Sequence, residues 1–173
     1  MAAQIWTIGH STRENDDFMT ALEAHGIKLL ADVRALPGSK RYPQFNRETL
    51  APALAKRGIR YEHFPELGGR RKPKADSPNT AWRNPSFRAY ADYMETAEFQ
   101  EGIKRLVDLA DELGPTAIMC AEAVWWRCHR ALISDYLKAR GVEVIHIVDE
   151  KKAEPHPFTS AAKIVDGQLS YVS

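Results

Sequence analysis

The sequence predicts a single three-layer α/β domain over residues 1–173, with a mainly parallel five-stranded sheet and a C-terminal hairpin. Three observations carry that expectation. Short apolar runs alternate along the chain with stretches of helical periodicity, the pattern of successive βαβ units with right-handed crossovers. The runs are apolar on most residues rather than on every second one, as in strands covered on both faces. The chain ends near AKIVDGQLSYV, in which Asp-Gly separates two β-prone arms, the signature of a tight hairpin.

Residues 4–9, QIWTIG, form the first strand, ended by Gly9 and His10. Ser11 followed by Glu14 reads as a capping box, and the helix it opens stops at Gly26. IKLLADVRA, residues 27–35, is the second strand, and Pro37 and Gly38 break it into the loop PGSKRYPQFN. A short helix follows, capped at Thr49, with Pro52 in its first turn and a stop at Gly58. Residues 59–69 make a third strand running into a glycine pair. Residues 70–85 form a basic, proline-broken loop with no periodicity; a loop that long suits a lid or binding segment, and it is expected to be mobile and to close over the site. Helical spacing returns from Ser86 to Leu113, with Gly102 as a break into two helices. TAIMCAE (116–122) is a fourth strand, 128–141 a helix, and VEVIHIV (142–148) a fifth strand.

Composition excludes several classes. No apolar run reaches the roughly 20 residues of a membrane helix. The start, MAAQIWTIGHS, carries no export signal, and two cysteines make no disulfide framework, so the cytoplasm is the expected compartment. The net charge of +1 hides an asymmetry: Arg34 to Arg88 holds 13 Lys and Arg against 4 Asp and Glu. Such a stretch suits a phosphate-bearing partner, or else a set of solvated loops.

Ligand crevices of open α/β sheets lie beyond the carboxyl ends of the strands. The residues just after each strand are therefore the candidates. His10, Glu122 and His129 could move protons, since a carboxylate beside an imidazole orients it and raises its basicity. Arg34, Arg127, Arg130 and Ser11 are the candidate binding residues. Arg127, His129 and Arg130 open a helix, where cations oppose the macrodipole and anions are favoured; they make sense there around an anion, or in ion pairs with Glu122 or Asp32. His63 reads as structural, and His25 as a favourable cation at a helix end.

Cys120 ends an apolar strand, and the loop CAEAVWWR after it lacks the glycines of an anion cradle. It is expected to be buried and not to act as the nucleophile. Cys128 beside His129 raises a metal reading, but adjacent helical side chains diverge by about 100°, and no metal is assigned. No cofactor is expected. Trp125, Trp126, Trp82, Tyr42 and Phe45 offer stacking surfaces of the kind single-stranded nucleic acid uses, or else pack in the core.

TIGHS (7–11), DVR (32–34) with Pro37 and Ser39, LGG (67–69), CAE (120–122) and CHR (128–130) together resemble the bacterial domain-of-unknown-function family numbered 488. The resemblance runs in order over nearly the whole chain and implies an α/β fold. Its shared motifs fall on His10, Arg34, Glu122, His129 and Arg130. It brings no settled activity with it.

Two functions compete. One is an enzyme, a hydrolase or transferase acting on a phosphate-bearing small molecule or nucleic acid. The alternative is a non-catalytic nucleotide or nucleic-acid binding module using the basic 34–88 region. A metal-binding or thiol-dependent enzyme is a further variant of the first. No membrane partner is expected.

Overall fold

The computed structural model describes residues 3–173. Five strands lie parallel: β1 (Gln4–Gly9), β2 (Leu29–Asp32), β3 (Arg60–His63), β4 (Thr116–Cys120) and β5 (Glu143–Ile147). A sixth, β6 (Ala153–Pro155), pairs antiparallel with β5 at one edge, giving the order β3-β2-β4-β1-β5-β6. The sheet thus has one strand more than the sequence suggests. That strand is three residues long and ends in a proline, which an edge position tolerates and periodicity does not reveal. The hairpin forms as expected, from β7 (Lys163–Val165) and β8 (Gln168–Ser170). Asp166 and Gly167 both take positive φ, the pairing that a two-residue turn of matching twist requires.

The sheet is covered on both faces because side chains alternate along each strand. Ala117 and Met119 face one layer, with Ile8, Leu30, helix α1 (Asn15–Ala24) and helix α2 (Arg47–Lys56). Ile118 and Cys120 face the other, with Ile5, Ala31, α3 (Pro85–Tyr93), α4 (Ala97–Leu113) and α5 (Arg130–Ala139). Phe18, Leu22, Phe99 and Leu132 are among the fully buried anchors; each contributes about 1.5–3 kcal/mol by leaving water.

This connectivity places the crevice. The chain leaves β1 and β2 toward the α1/α2 layer but leaves β4, which lies between them, toward α5. Connections diverge to opposite faces at the carboxyl end of β4, the topological switch where open sheets leave a cleft.

Several local expectations change. α1 starts at Asn15, and no side chain caps it. Ser11 instead takes a left-handed turn (φ 49°), and its N–H continues the β1–β4 ladder to the Ala121 carbonyl at 2.9 Å. α2 begins before Thr49, which puts Pro52 inside the helix rather than in its first turn. α3 and α4 separate at Thr96, whose hydroxyl accepts the Phe99 N–H, and not at Gly102. Gly102 is the docking point of α4: a Cβ there would lie 2.5 Å from Glu66 Cγ and 2.9 Å from Leu67 Cδ2.

The 70–85 loop is tied down along much of its length. Asn79 is buried and donates to Asp92 at 2.7 Å, Ala81 N–H donates to the Tyr171 carbonyl at 2.9 Å, and Trp82 packs on Phe87 and Tyr171. Only its first residues, Arg70 and Arg71, reach the crevice. Among the described residues no helix is long and apolar enough to cross a membrane.

Candidate functional site

A cavity of about 690 Å³ opens at the carboxyl end of β4, and His10, Arg34, Cys120, Glu122, Arg127, Cys128 and His129 all border it. The strand-end reasoning therefore gathers its main residues at one place. Ser11 and Arg130 do not line the cavity. A second hollow of about 790 Å³, between α3, α5 and the hairpin, contains none of the candidates.

Each side chain is held differently. Arg34 is buried and gripped at both ends of the Asp32 carboxylate, Nε to Oδ1 at 2.9 Å and Nη2 to Oδ2 at 2.7 Å. Tyr61 donates to the same carboxylate, and Nη2 also reaches the Phe45 carbonyl at 2.8 Å. Only Nη1 remains, 3.4 Å from His10 Nε2. The His10 ring stacks on Phe45 at 4.4 Å, and its Nδ1–H donates to the Ser11 carbonyl at 2.9 Å. Burial, with help from Arg34, pushes His10 below the usual histidine range, so Nε2 carries a lone pair toward Nη1. His129 is fixed the opposite way: Nε2–H donates to the Val33 carbonyl at 2.8 Å, leaving Nδ1 free. Burial lowers its pKa as well. Nδ1 faces Gly69, where a Cβ would come within 3.2 Å.

Arg127 and Arg70 are exposed at the mouth, and neither side chain has a hydrogen-bond or ion-pair partner among the described residues. Glu122 is exposed there too, whereas its backbone carbonyl is buried structure: it accepts Arg130 Nη2 at 2.8 Å and covers Gly9. A Cβ on Gly9 would lie 1.6 Å from that oxygen, so only glycine fits where β1 passes beneath.

The unexpected feature is sulfur. Cys120 and Cys128 are free thiols whose Sγ atoms lie 2.8 Å apart, on the floor of the cavity. Cys128 immediately precedes the His129 cap of α5, and its sulfur accepts the Arg130 backbone N–H and the Arg130 Nε–H, each at 3.3 Å. Burial opposes ionisation at both sulfurs, but the two resolve oppositely. The Cys120 thiol, the Arg130 charge and His129 pull Cys128 well below the thiol range, while Cys120 is pushed well above it. Of the pair, Cys128 is the sulfur favoured as thiolate and Cys120 the one favoured as thiol. The expectation that Cys120 is buried holds.

Arg130 takes a different place from the one its position suggested. It is fully buried beneath the cavity, with Nη1 on Thr7 Oγ1 at 3.2 Å and Nη2 on the carbonyls of Glu122 and Ala123. Of the basic residues at this helix start, Arg130 is directed at the Cys128 sulfur rather than into the cavity. Thr7, Asp135, His146 and His156, buried behind Arg130, gave no signal in the sequence because they come from four separate segments. Among the described residues no group of three or more His, Cys, Asp or Glu side chains is arranged to hold a metal ion.

Fold and site thus define a parallel α/β domain with a cysteine-floored crevice at the sheet's carboxyl edge. The chain belongs to the family described as "Domain of unknown function DUF488", whose model matches residues 14–137. No curated protein and no solved structure matches it.

Proposed function

We propose that this protein is a thiol-dependent transferase or hydrolase in which Cys128 attacks a phosphate-bearing small molecule or nucleic-acid end. The observation that carries this reading is the Cys128 sulfur itself. It accepts two N–H donors from Arg130 and the Cys120 thiol while facing a cavity large enough for a nucleotide-sized ligand. Arg127 and Arg70, free at the mouth, would meet the substrate's charge, and Arg34 Nη1 would meet it from the side. Cys128 Sγ forms a bond to phosphorus as the ester P–O bond breaks; the leaving oxygen takes its proton from solvent at the open mouth. Water, or an acceptor hydroxyl, then gives a proton to His129 Nδ1 and attacks phosphorus, and the thiolate leaves. Glu122 at the rim returns that proton to bulk water. His10, with both nitrogens engaged, positions Arg34. The cycle needs Cys128 reduced, which suits a reducing compartment such as the cytoplasm.

The test is alkylation by iodoacetamide at pH 6, with each cysteine read by mass spectrometry. Cys128 should label at least tenfold faster than free cysteine and Cys120 should not; inorganic phosphate should protect. A chromogenic phosphate ester should release one equivalent in a burst that Cys128→Ser abolishes. Labelling at the free-cysteine rate, or no protection and no burst, overturns the proposal. The binding-module alternative predicts nucleotide protection of the surface arginines without any cysteine dependence.

A further inference from the structure

Behind Arg130 runs a chain of buried polar groups with no part in the steps above. Arg130 Nη1 reaches Thr7 Oγ1 at 3.2 Å, and Thr7 Oγ1 lies 2.6 Å from His146 Nδ1. His146 Nε2 lies 2.8 Å from His156 Nδ1, and His156 Nε2 lies 2.8 Å from Asp135 Oδ1. Thr7, His146, His156 and Asp135 sit on β1, on β5, after β6 and on α5 respectively, and all are buried. Trp125 closes the chain from one side, stacked on His146 at 4.7 Å with an interplanar angle of 7°.

The chemistry of the groups dictates its polarity. The Asp135 carboxylate can only accept, and it also takes the Tyr171 hydroxyl at 2.8 Å and the Thr159 N–H at 3.0 Å. His156 must therefore present Nε2–H to it, which leaves Nδ1 as an acceptor for His146 Nε2–H. His146 Nδ1 is then an acceptor as well and claims the Thr7 proton, so a Thr7 lone pair faces Arg130. With one proton on each ring, every donor points the same way, from Arg130 to Asp135. With the other His146 tautomer, Nδ1–H would donate into Thr7, freeing the Thr7 proton to turn toward the guanidinium.

We propose that Asp135, His156, His146 and Thr7 are positioning residues that orient Arg130 on Cys128 and so set the reactivity of that sulfur. The inference rests on the reading of Cys128 as nucleophile. A guanidinium anchored on Thr7 at Nη1 and on Glu122 and Ala123 at Nη2 has one direction left for Nε–H, and that direction is the sulfur. Releasing the Thr7 corner lets the fork turn, and the sulfur loses its closest cation. Cys120, Arg130 and His129 act most strongly on Cys128, and Tyr90 also interacts with it; the relay works through Arg130. Packing alone would be met as well by apolar side chains, which carry no desolvation cost.

The experiment is the pH profile of Cys128 alkylation in the full chain for Thr7→Val, His146→Leu and Thr7→Ser, each verified by circular dichroism and cooperative unfolding. Thr7→Val and His146→Leu should raise the midpoint by a unit or more, slowing labelling at pH 5 at least about fivefold. Thr7→Ser, which keeps the hydroxyl, should follow the wild type. A depressed wild-type midpoint that stays unchanged in the folded valine and leucine variants overturns the relay alone. A wild-type midpoint at the ordinary cysteine value overturns both the relay and the nucleophile. Nitrogen-15 shifts of the wild-type imidazoles test the same point without mutation: both rings must be the Nε2–H tautomer, and Nδ1–H at either overturns the proposal.

Discussion

Asp32, the last residue of β2, and Cys128, eight residues beyond the end of β4, decide what the arginines of this site can do. Asp32 pairs with Arg34 and Cys128 engages Arg130, so a ligand meets the exposed guanidiniums at the mouth, Arg41, Arg70 and Arg127, and of Arg34 only Nη1. Substitution should separate these roles. Arg127→Ala should weaken phosphate protection of Cys128 severalfold without changing the unprotected labelling rate. Arg130→Met should instead raise the labelling midpoint from about 5 toward the free-thiol range, because the sulfur loses its main cation and one N–H donor. The sign follows from the acid: stabilising the thiolate lowers the pKa, and removing the stabiliser raises it. The proximity of the sulfurs makes a further prediction. Diamide should oxidise the pair to an intramolecular disulfide, each thiol losing one proton and one electron, since 2.8 Å needs only a small approach to about 2.05 Å. A mass loss of two hydrogens, with both thiols protected from alkylation and recovered by a dithiol reductant, is the expected result; mixed dimers instead would show that the side chains do not meet.

At the scale of elements, close approach rather than propensity explains the glycines. Gly102 sits mid-helix in α4, where helix propensity favours alanine by about 1 kcal/mol. Its missing Cβ lets α4 lie against Glu66 and Leu67, so Gly102→Ala should destabilise by about 1–3 kcal/mol as those side chains are pushed from their places. Chemical denaturation decides between the two signs. Periodicity and turn residues made the five parallel strands, most helices and the hairpin legible in the sequence, as they are local signals. Gly102 read as a break because the contact that requires it comes from 35 residues away along the chain. The same limit governs the site. His10, Arg34, Glu122 and His129 were legible as neighbours, because a parallel sheet sends every strand end to one edge. What each one does was not. The carboxylate that pins Arg34 is two residues back, at the end of β2, but its grip depends on side-chain direction. The meeting of the two sulfurs depends on where the seven-residue loop between them, 121–127, returns.

For the whole molecule, the cost of this architecture is the burial of imidazoles. His10, His129 and His146 are all held below the usual histidine range, chiefly by desolvation, and His146 most strongly, with repulsion from Arg130 added. Each stays neutral in the fold, yet in the unfolded chain it takes a proton as pH falls through about 6.5. Between that value and its own lowered pKa, the unfolded state therefore binds more protons than the native one. Stability must then be full above about 6.5 and fall as the solution is acidified. The slope approaches about 1.4 kcal/mol per pH unit for each histidine that remains neutral. Urea unfolding at pH 7.5, 6.5, 5.5 and 4.5 measures it. The free energy should be level between the first two and then decline, more steeply than one histidine would produce. His146→Leu should remove one histidine's share of that slope while lowering the plateau, since Thr7 and His156 each lose a partner. A stability that is flat down to pH 4.5, or that rises on acidification, would mean that the buried rings take protons in the native state, and the one-way hydrogen-bond chain behind Arg130 would then be drawn with the wrong tautomers.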